Sequence, residues 1–344
     1  TRSVKAYELF LQARALVKQA DRTGDSSLYD QMLETLKQAI DEDPTFGKAH
    51  FSVALFWRGR LELTRQAAKS NSLTLAERYA EFDKAIALAI RHAHNDIERL
   101  RYEYLRAWVA LDWSLALEKI IAFSEARPAE GCIDLGGVAI RLQRKDIGEL
   151  AVRNCIEAGK VDIELLQDAV TMSHRVNIDE PIAARLYRAN RTRIKNNMAA
   201  SYQFHRALLW DGEVELAREL LPALRSGKGI NYRMPILRQA CAEGDLDTAR
   251  EFYELVMTAD GDDASSIGEK WLSSQMTGRF DVAEELLRHL DQPDTVFALS
   301  SWMYYPQFDP RPYQNLMDML ARNGIEPATP RRETFACPTG VLEP

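Results

Sequence analysis

Cysteine is scarce in this chain of 344 residues, and the four present (Cys132, Cys155, Cys241 and Cys337) are far apart. None forms the closely spaced pair that a structural zinc uses, so a structural metal is not expected. Three of them fall inside apolar helical patterns, where a free thiol packs as a small hydrophobe, and plain packing is the expectation, with their redox state left open. Glycine (17) and proline (13) are also few, which argues against an all-β fold rich in turns. No apolar run approaches the ~18–20 residues of a membrane span, and no secretory signal precedes the first helix-like segment. Positive charge is not in excess either: 44 Lys and Arg stand against 51 Asp and Glu, a net charge of −7. The basic stripe of a nucleic-acid binder is therefore missing. The first residue is Thr1, not methionine, so a fragment or processed protein is expected, and an upstream domain would decide between cytoplasm and periplasm.

What is present is ordinary globular composition, 46% apolar and 28% charged, enough for a large core. Length alone suggests two domains of ~150 residues unless a repeat accounts for it. Helical periodicity runs from end to end. Residues 6–16 (AYELFLQARAL) place apolar side chains at the i, i+3 and i+4 positions of one face. No stretch keeps a strand-like alternation. Segments of about 12–18 residues are broken by short polar punctuation at 23–27, 41–44, Gly212, Gly244, 260–263 and Gly278. The reading is all-α.

The helices repeat. Residues 209–217, 241–249 and 276–283 each carry a glycine, a polar turn, and an alanine five residues after the glycine. The alanines extend backwards as Ala116, Ala151, Ala183, Ala217, Ala249 and Ala283, spaced 35, 32, 34, 32 and 34 apart. Four residues after each stands the next inward position: Ile120, Cys155, Tyr187, Leu221, Tyr253 and Leu287. A period near 34 with two helices per unit is the mark of a helical-hairpin solenoid. The small alanine lets the two helices approach, the glycine absorbs the turn, and stacking buries the face that one hairpin leaves bare.

These residues resemble the second half of the tetratricopeptide repeat. Pro44 and Pro128 fall where that family often ends its second helix, whereas His205, Leu237 and Trp271 depart from its small residue in the first. The resemblance implies a right-handed α-solenoid of about eight to nine degenerate hairpins. Residues 1–93 and 94–326 would form one continuous array, and 327–344 an irregular tail. Residues 6–11, 36–44 and 49–51, and more loosely the Cys-Pro end at 330–338, are similar to the C-terminal repeat arrays of bacterial adenylate cyclases and winged-helix transcriptional regulators.

Candidate chemistry is thin. Gly227-Lys228-Gly229 lacks the upstream glycine and strand-to-helix context of a phosphate loop. His92, His94 and Glu98 offer only two ligands on one helix face. The acidic run 260–263 is broken as a calcium loop by Ala264 and Ser265. No nucleophile elbow or HExxH helix is present, so no catalytic residue, metal or cofactor is assigned. Most of the six tryptophans are expected to pack between hairpins. Counting back from the alanines puts Trp108, Arg175, Tyr202, Arg206, Asn231, Arg238 and Gln275 on the first helices, the side that would line a groove. Arginines beside aromatic and amide groups suit an acidic or C-terminal carboxylate peptide. The function expected is a non-enzymatic protein- or peptide-binding scaffold, the regulatory or sensory arm of a bacterial signalling protein. The alternative is a small-molecule-sensing solenoid controlling an attached output domain. On the groove reading, removing Arg206 and Arg238 should weaken binding and leave stability nearly unchanged.

Overall fold

A computed structural model describes residues 1–23, 27–62, 73–178, 180–224, 230–258 and 264–337, the side chains of 21–23, 230–232 and 264–266 excepted. Among the described residues every regular element is helical. The chain divides into two compact units, Thr1–Ala126 and Arg127–Pro344. The first holds α1 (Val4–Thr23), α2 (Ser27–Glu42), α3 (Gly47–Glu62), α4 (Leu75–Arg91), α5 (Asp96–Val109) and α6 (Trp113–Ala126), packed in consecutive pairs. The second holds α7 (Pro128–Arg141), α8 (Lys145–Gly159), α9 (Ile163–Arg175), α10 (Ile182–Lys195), α11 (Met198–Trp210), α12 (Val214–Arg218), α13 (Leu221–Leu224), α14 (Ile230–Glu243), α15 (Leu246–Met257), α16 (Ala264–Met276) and α17 (Phe280–Arg288). It ends with α18 (Val296–Ser300), a 3-10 turn at Ser301–Tyr304 and α19 (Gln314–Arg322). Among the described residues each unit is all-α, its helices packed in consecutive pairs in the manner of a solenoid.

The alanine series marks the contacts that make this possible. Ala116, Ala151, Ala183, Ala217, Ala249 and Ala283 are all fully buried, so each marks a close approach of helices. The turn before them is more regular than the glycines suggest. Leu111, Gln143, Asn177, Gly212, Gly244 and Gly278 all have positive φ, between 55° and 78°. After each, the next amide reaches back five residues to a helix carbonyl: Asp112 to Ala107, Arg144 to Ala139, Ile178 to Ser173, Glu213 to Leu208, Asp245 to Ala240 and Arg279 to Ser274. That is the Schellman ending, which satisfies carbonyls left open at a helix C-terminus. Only half of the six turns use glycine. The other three carry a Cβ into left-handed backbone at a cost of roughly 1–2 kcal/mol each.

In the second unit the first helices of the pairs also pack on one another, α7 on α9, α9 on α11, α11 on α14 and α14 on α16. They form a row, with the second helices behind. Five of the tryptophans (Trp57, Trp108, Trp113, Trp271 and Trp302) are buried.

The cysteines correct an expectation. They are not packed thiols: Cys132 on α7 is bonded to Cys155 on α8, and Cys241 on α14 to Cys337 beyond α19. An apolar helical pattern predicts that a cysteine is buried, but not that a second cysteine lies opposite.

Candidate functional site

The segment after α19 is irregular in backbone, yet it is not loose. Gly324, at φ +66°, ends α19 with the same turn, Ile325 N donating to Leu320 O. The chain then crosses the ends of the row of first helices in order. Glu326 O accepts from Gln143 Nε2 beyond α7 (2.7 Å). Arg331 donates to His174 O (2.7 Å) and Arg175 O (3.1 Å) at the end of α9, and to Asn177 Oδ1. Thr334 donates to Trp210 O at the end of α11 (3.2 Å). Cys337 is bonded to Cys241 on α14, and its amide donates to Met276 O, the last residue of α16 (3.0 Å).

The physical reason is that helix C-termini present unsatisfied carbonyls and negative dipole ends, which Arg331 and Thr334 answer. The eleven residue-to-residue steps from Glu326 to Cys337 span about 35–40 Å when nearly extended. Four steps between helix axes about 9 Å apart cover much the same distance. Phe335, buried, meets the edge of Trp210 (centroids 6.1 Å) and anchors the segment.

Between Arg331 and Phe335 the segment carries Glu333 into a cluster of positive charge. Arg175 comes from α9, Arg206 from α11 and Arg238 from α14. The Arg175 guanidinium lies 3.4 Å from the ring centre of Tyr304 and 4.9 Å from that of Tyr305. Arg238, 1% exposed, donates to the Tyr202 hydroxyl (3.1 Å) and sits over the same ring. Arg206 donates to Gln203 Oε1 (3.1 Å). Desolvation, followed by the neighbouring Arg175 and Arg238, pulls Arg206 down to about 10.

The Glu333 carboxyl is pushed above its ordinary range by burial, which outweighs the opposing pull of Arg206, Arg238 and Arg175. Its Oε1 accepts from Gln307 Nε2 (2.9 Å). Its buried Oε2 has no hydrogen-bond partner, and neither do the buried Nη1 atoms of Arg175 and Arg238. Two histidines border the cluster. His174, against Trp210, is held down to about 3 by burial and then by Arg206, Arg175 and Arg331. His205, bonded to Gln239, is also at about 3, through burial and then Arg238. A small cavity bounded by Arg175, Arg206, Trp210, Tyr305, Gln307 and Glu333 lies at the centre.

Of the residues proposed from sequence, Arg175, Tyr202, Arg206 and Arg238 meet here. Gln275, half-buried on α16, lines the adjoining cleft with Trp271, Gln307 and Glu333. Trp108 does not join them; it is a core residue of the first unit, stacked on Trp113 at 5.5 Å. The side chain of Asn231, and the runs 227–229 and 260–263, lie outside the described residues. The expectation that Arg238 projects from a groove surface is corrected. It is buried, held by the hydroxyl and ring of Tyr202. Sequence counting missed Glu333, Gln307, Arg331 and Tyr304, whose only signal was a charged, aromatic and proline-punctuated end after a break in the repeat.

His92, His94 and Glu98 do not converge as ligands: Glu98 accepts from the His94 amide (3.2 Å) and pairs with Lys48 (3.1 Å). Among the described residues no group of three or more His, Cys, Asp or Glu side chains is arranged to hold a metal. No described helix is long and apolar enough to cross a membrane. No protein-family model matches the chain, and no curated protein matches its sequence.

Proposed function

We propose that this chain is a non-enzymatic binding scaffold of the tetratricopeptide type. Its row of first helices in the unit Arg127–Pro344 receives an extended peptide that carries a carboxylate. The observation supporting this reading is the chain's own segment 325–337, which lies across successive helix ends with Glu333 among Arg175, Arg206 and Arg238. Each element does one thing a peptide site needs. The helix-end carbonyls take donor side chains and one backbone amide, Trp210 takes an aromatic ring, and the guanidiniums select negative charge. In the parent protein it acts as a regulatory arm, as its resemblance to signalling arrays suggests. A second reading is favoured by the buried, unpartnered Oε2 and Nη1 atoms around the small cavity: a small carboxylate sensed within the helix row.

The test vacates the site by substitution. In the full-length variant E333A/F335A/C337S, a fluorescein-labelled peptide copying residues 325–336 should bind with a Kd on the order of 10 μM, typical of a preformed peptide groove. The same peptide with glutamine at the Glu333 position should bind at least about 10-fold more weakly, the loss of one charge-assisted contact. Equal binding of the two peptides, or none, rejects the reading. Displacement of both by millimolar succinate would support the small-carboxylate form.

A further inference from the structure

We infer that the Cys241–Cys337 disulfide is a redox latch: it keeps the segment 325–337 seated as an internal ligand, and its reduction opens the arginine pocket to an acidic segment of a partner. This rests on the binding reading above and adds its control.

The first ground is the kind of contact that holds the segment: side-chain hydrogen bonds and a few backbone ones, with no helix or sheet ladder beneath them. No helix or strand incorporates residues 325–337. Its backbone reaches the rest of the chain at its start through Ile325 N to Leu320 O (2.9 Å) and Glu326 O from Gln143 Nε2 (2.7 Å), and further on through Arg331 N to Pro306 O (2.8 Å) and Cys337 N to Met276 O (3.0 Å). Arg332 and Thr334 are exposed between these points. Phe335, buried on Trp210, is an aromatic anchor at its far end.

The second ground is the quality of the fit. Glu333 Oε2 and the Nη1 atoms of Arg175 and Arg238 are all buried, and none finds a hydrogen-bond partner. A buried polar atom left unpaired is a loss that a better ligand recovers. A carboxylate that reached either Nη1 would therefore bind more tightly, atom for atom, than Glu333 does. The resident segment is a displaceable occupant, kept in place by a covalent tie.

The third ground is the contrast with the other disulfide. Cys132–Cys155 joins two helices of one hairpin, 23 residues apart, and both ends sit on packed elements. Cys241–Cys337 spans 96 residues and joins a helix to an irregular segment. Breaking the first leaves α7 packed on α8. Breaking the second unties the covering segment.

The chemistry needs a dithiol reductant. One thiolate attacks a sulfur of the pair to give a mixed disulfide, and its second thiol resolves it. The Cys241–Cys337 bond is broken, and two electrons and two protons arrive as two thiols. The reductant leaves as its own disulfide. Both cysteines are about 5% exposed, so the exchange waits on a local opening of the residues around the bonded pair that uncovers one sulfur; once the bond is broken the Cys337 end lifts, and the oxidised latch is stable in between.

The test uses the full-length chain. Oxidised wild type, C337S and C132S/C155S are compared for trypsin cleavage after Arg331 and Arg332 by mass spectrometry, and for binding of the labelled 325–336 peptide. Cleavage reports the population of the lifted segment. C337S should be cut at least about 10-fold faster than wild type and bind the probe at least about 10-fold more tightly, because the covalent tether had set a high effective concentration. Wild type treated with dithiothreitol should follow C337S, and C132S/C155S should follow oxidised wild type. Equal protection of the segment in C337S and oxidised wild type overturns the latch. So does loss of helical circular dichroism in C337S, which would make the bond a structural staple. If the segment becomes cleavable and the peptide still fails to bind, the binding reading fails and the tie itself stands.

Discussion

The two units are built from the same helical hairpin but close it differently. In Thr1–Ala126 the interior is aromatic and completed by its own helices: Phe10 on Phe46 (5.2 Å), Phe51 on Tyr102 (4.4 Å) and Trp108 on Trp113 (5.5 Å). Its buried polar groups serve local structure. Asp43 accepts from the Thr1 and Thr45 hydroxyls, which hold its carboxyl far below the usual range, and Arg78 caps Arg60 O and Leu73 O. In Arg127–Pro344 the inner row instead carries Arg238, His205 and Glu269 almost fully buried. Glu269 is satisfied by a two-pronged ion pair with Arg233 (2.7 and 2.6 Å), while the arginines around Glu333 are not fully paired. A helix row that is apolar needs only another helix to cover it. One that is charged needs a polar cover, and here an irregular, disulfide-tied segment supplies it.

The comparison is broken most sharply at Arg238. R238A leaves the Tyr202 hydroxyl without its donor and Glu333 with less compensating charge, and it should cost about 3–4 kcal/mol. Urea unfolding measures it. A loss under 1 kcal/mol would return Arg238 to the groove surface assumed from sequence. Next comes C132A/C155A, where opening a 23-residue loop should cost about 3 kcal/mol and leave the 325–337 segment protected from trypsin. Faster cleavage there would mean that the two disulfides do not have separate roles.

In the first unit, an added Cβ at Gly47 would stand 2.4 Å from the carbonyl oxygen of His92. G47A should therefore destabilise by about 2 kcal/mol, because backbone cannot give way as a side chain does. G59A meets nothing within 4 Å on the exposed side of α3, and should stabilise by about 0.5–1 kcal/mol in the same assay. Equal effects would show that helix spacing in this unit is softer than the geometry implies.

The smallest effects near neutral pH concern protonation. His174 and His205, both held near 3, should stay neutral at pH 5, with imidazole proton shifts that do not move between pH 8 and 5. The unfolded chain takes up these protons below about 6.5 while the folded one does not, so each histidine withdraws stability as pH falls from 6.5 toward 3. Glu333 acts in the opposite sense. Its raised pKa contributes stability at low pH that is lost as pH rises through its folded value, so E333Q should steepen the acid loss. A histidine of this pair titrating near 6.5 would place it in solvent.

Much of the fold was legible because helical packing is local and periodic. The alanine series identified six buried contacts from spacing alone, and all six are fully buried. The turns were half legible: glycine announced Gly212, Gly244 and Gly278, while Leu111, Gln143 and Asn177 adopt the same backbone without it, because hydrogen bonding and packing carry the strain. The site was legible in its helical half. Counting along the first helices reached Arg175, Tyr202, Arg206 and Arg238, but attached Trp108, which is core. The other half could not be counted. Glu333, Gln307 and Tyr304 lie beyond the last period, where no repeat predicts which helix an irregular segment returns to.

The sequence by itself determined that this chain is helical, that it repeats near 34 residues, and which alanines are pressed between helices. Those facts follow from side-chain size and spacing over one or two turns, where the backbone leaves little choice. Only the tertiary structure decided that the cysteines pair, that three arginines from three successive first helices face one glutamate from the far end of the chain, and that the row they line is already occupied. Apart from the Cys132–Cys155 pair, 23 residues apart within one hairpin, those outcomes depend on contacts between residues about 95–160 apart in sequence, and no local preference encodes such contacts.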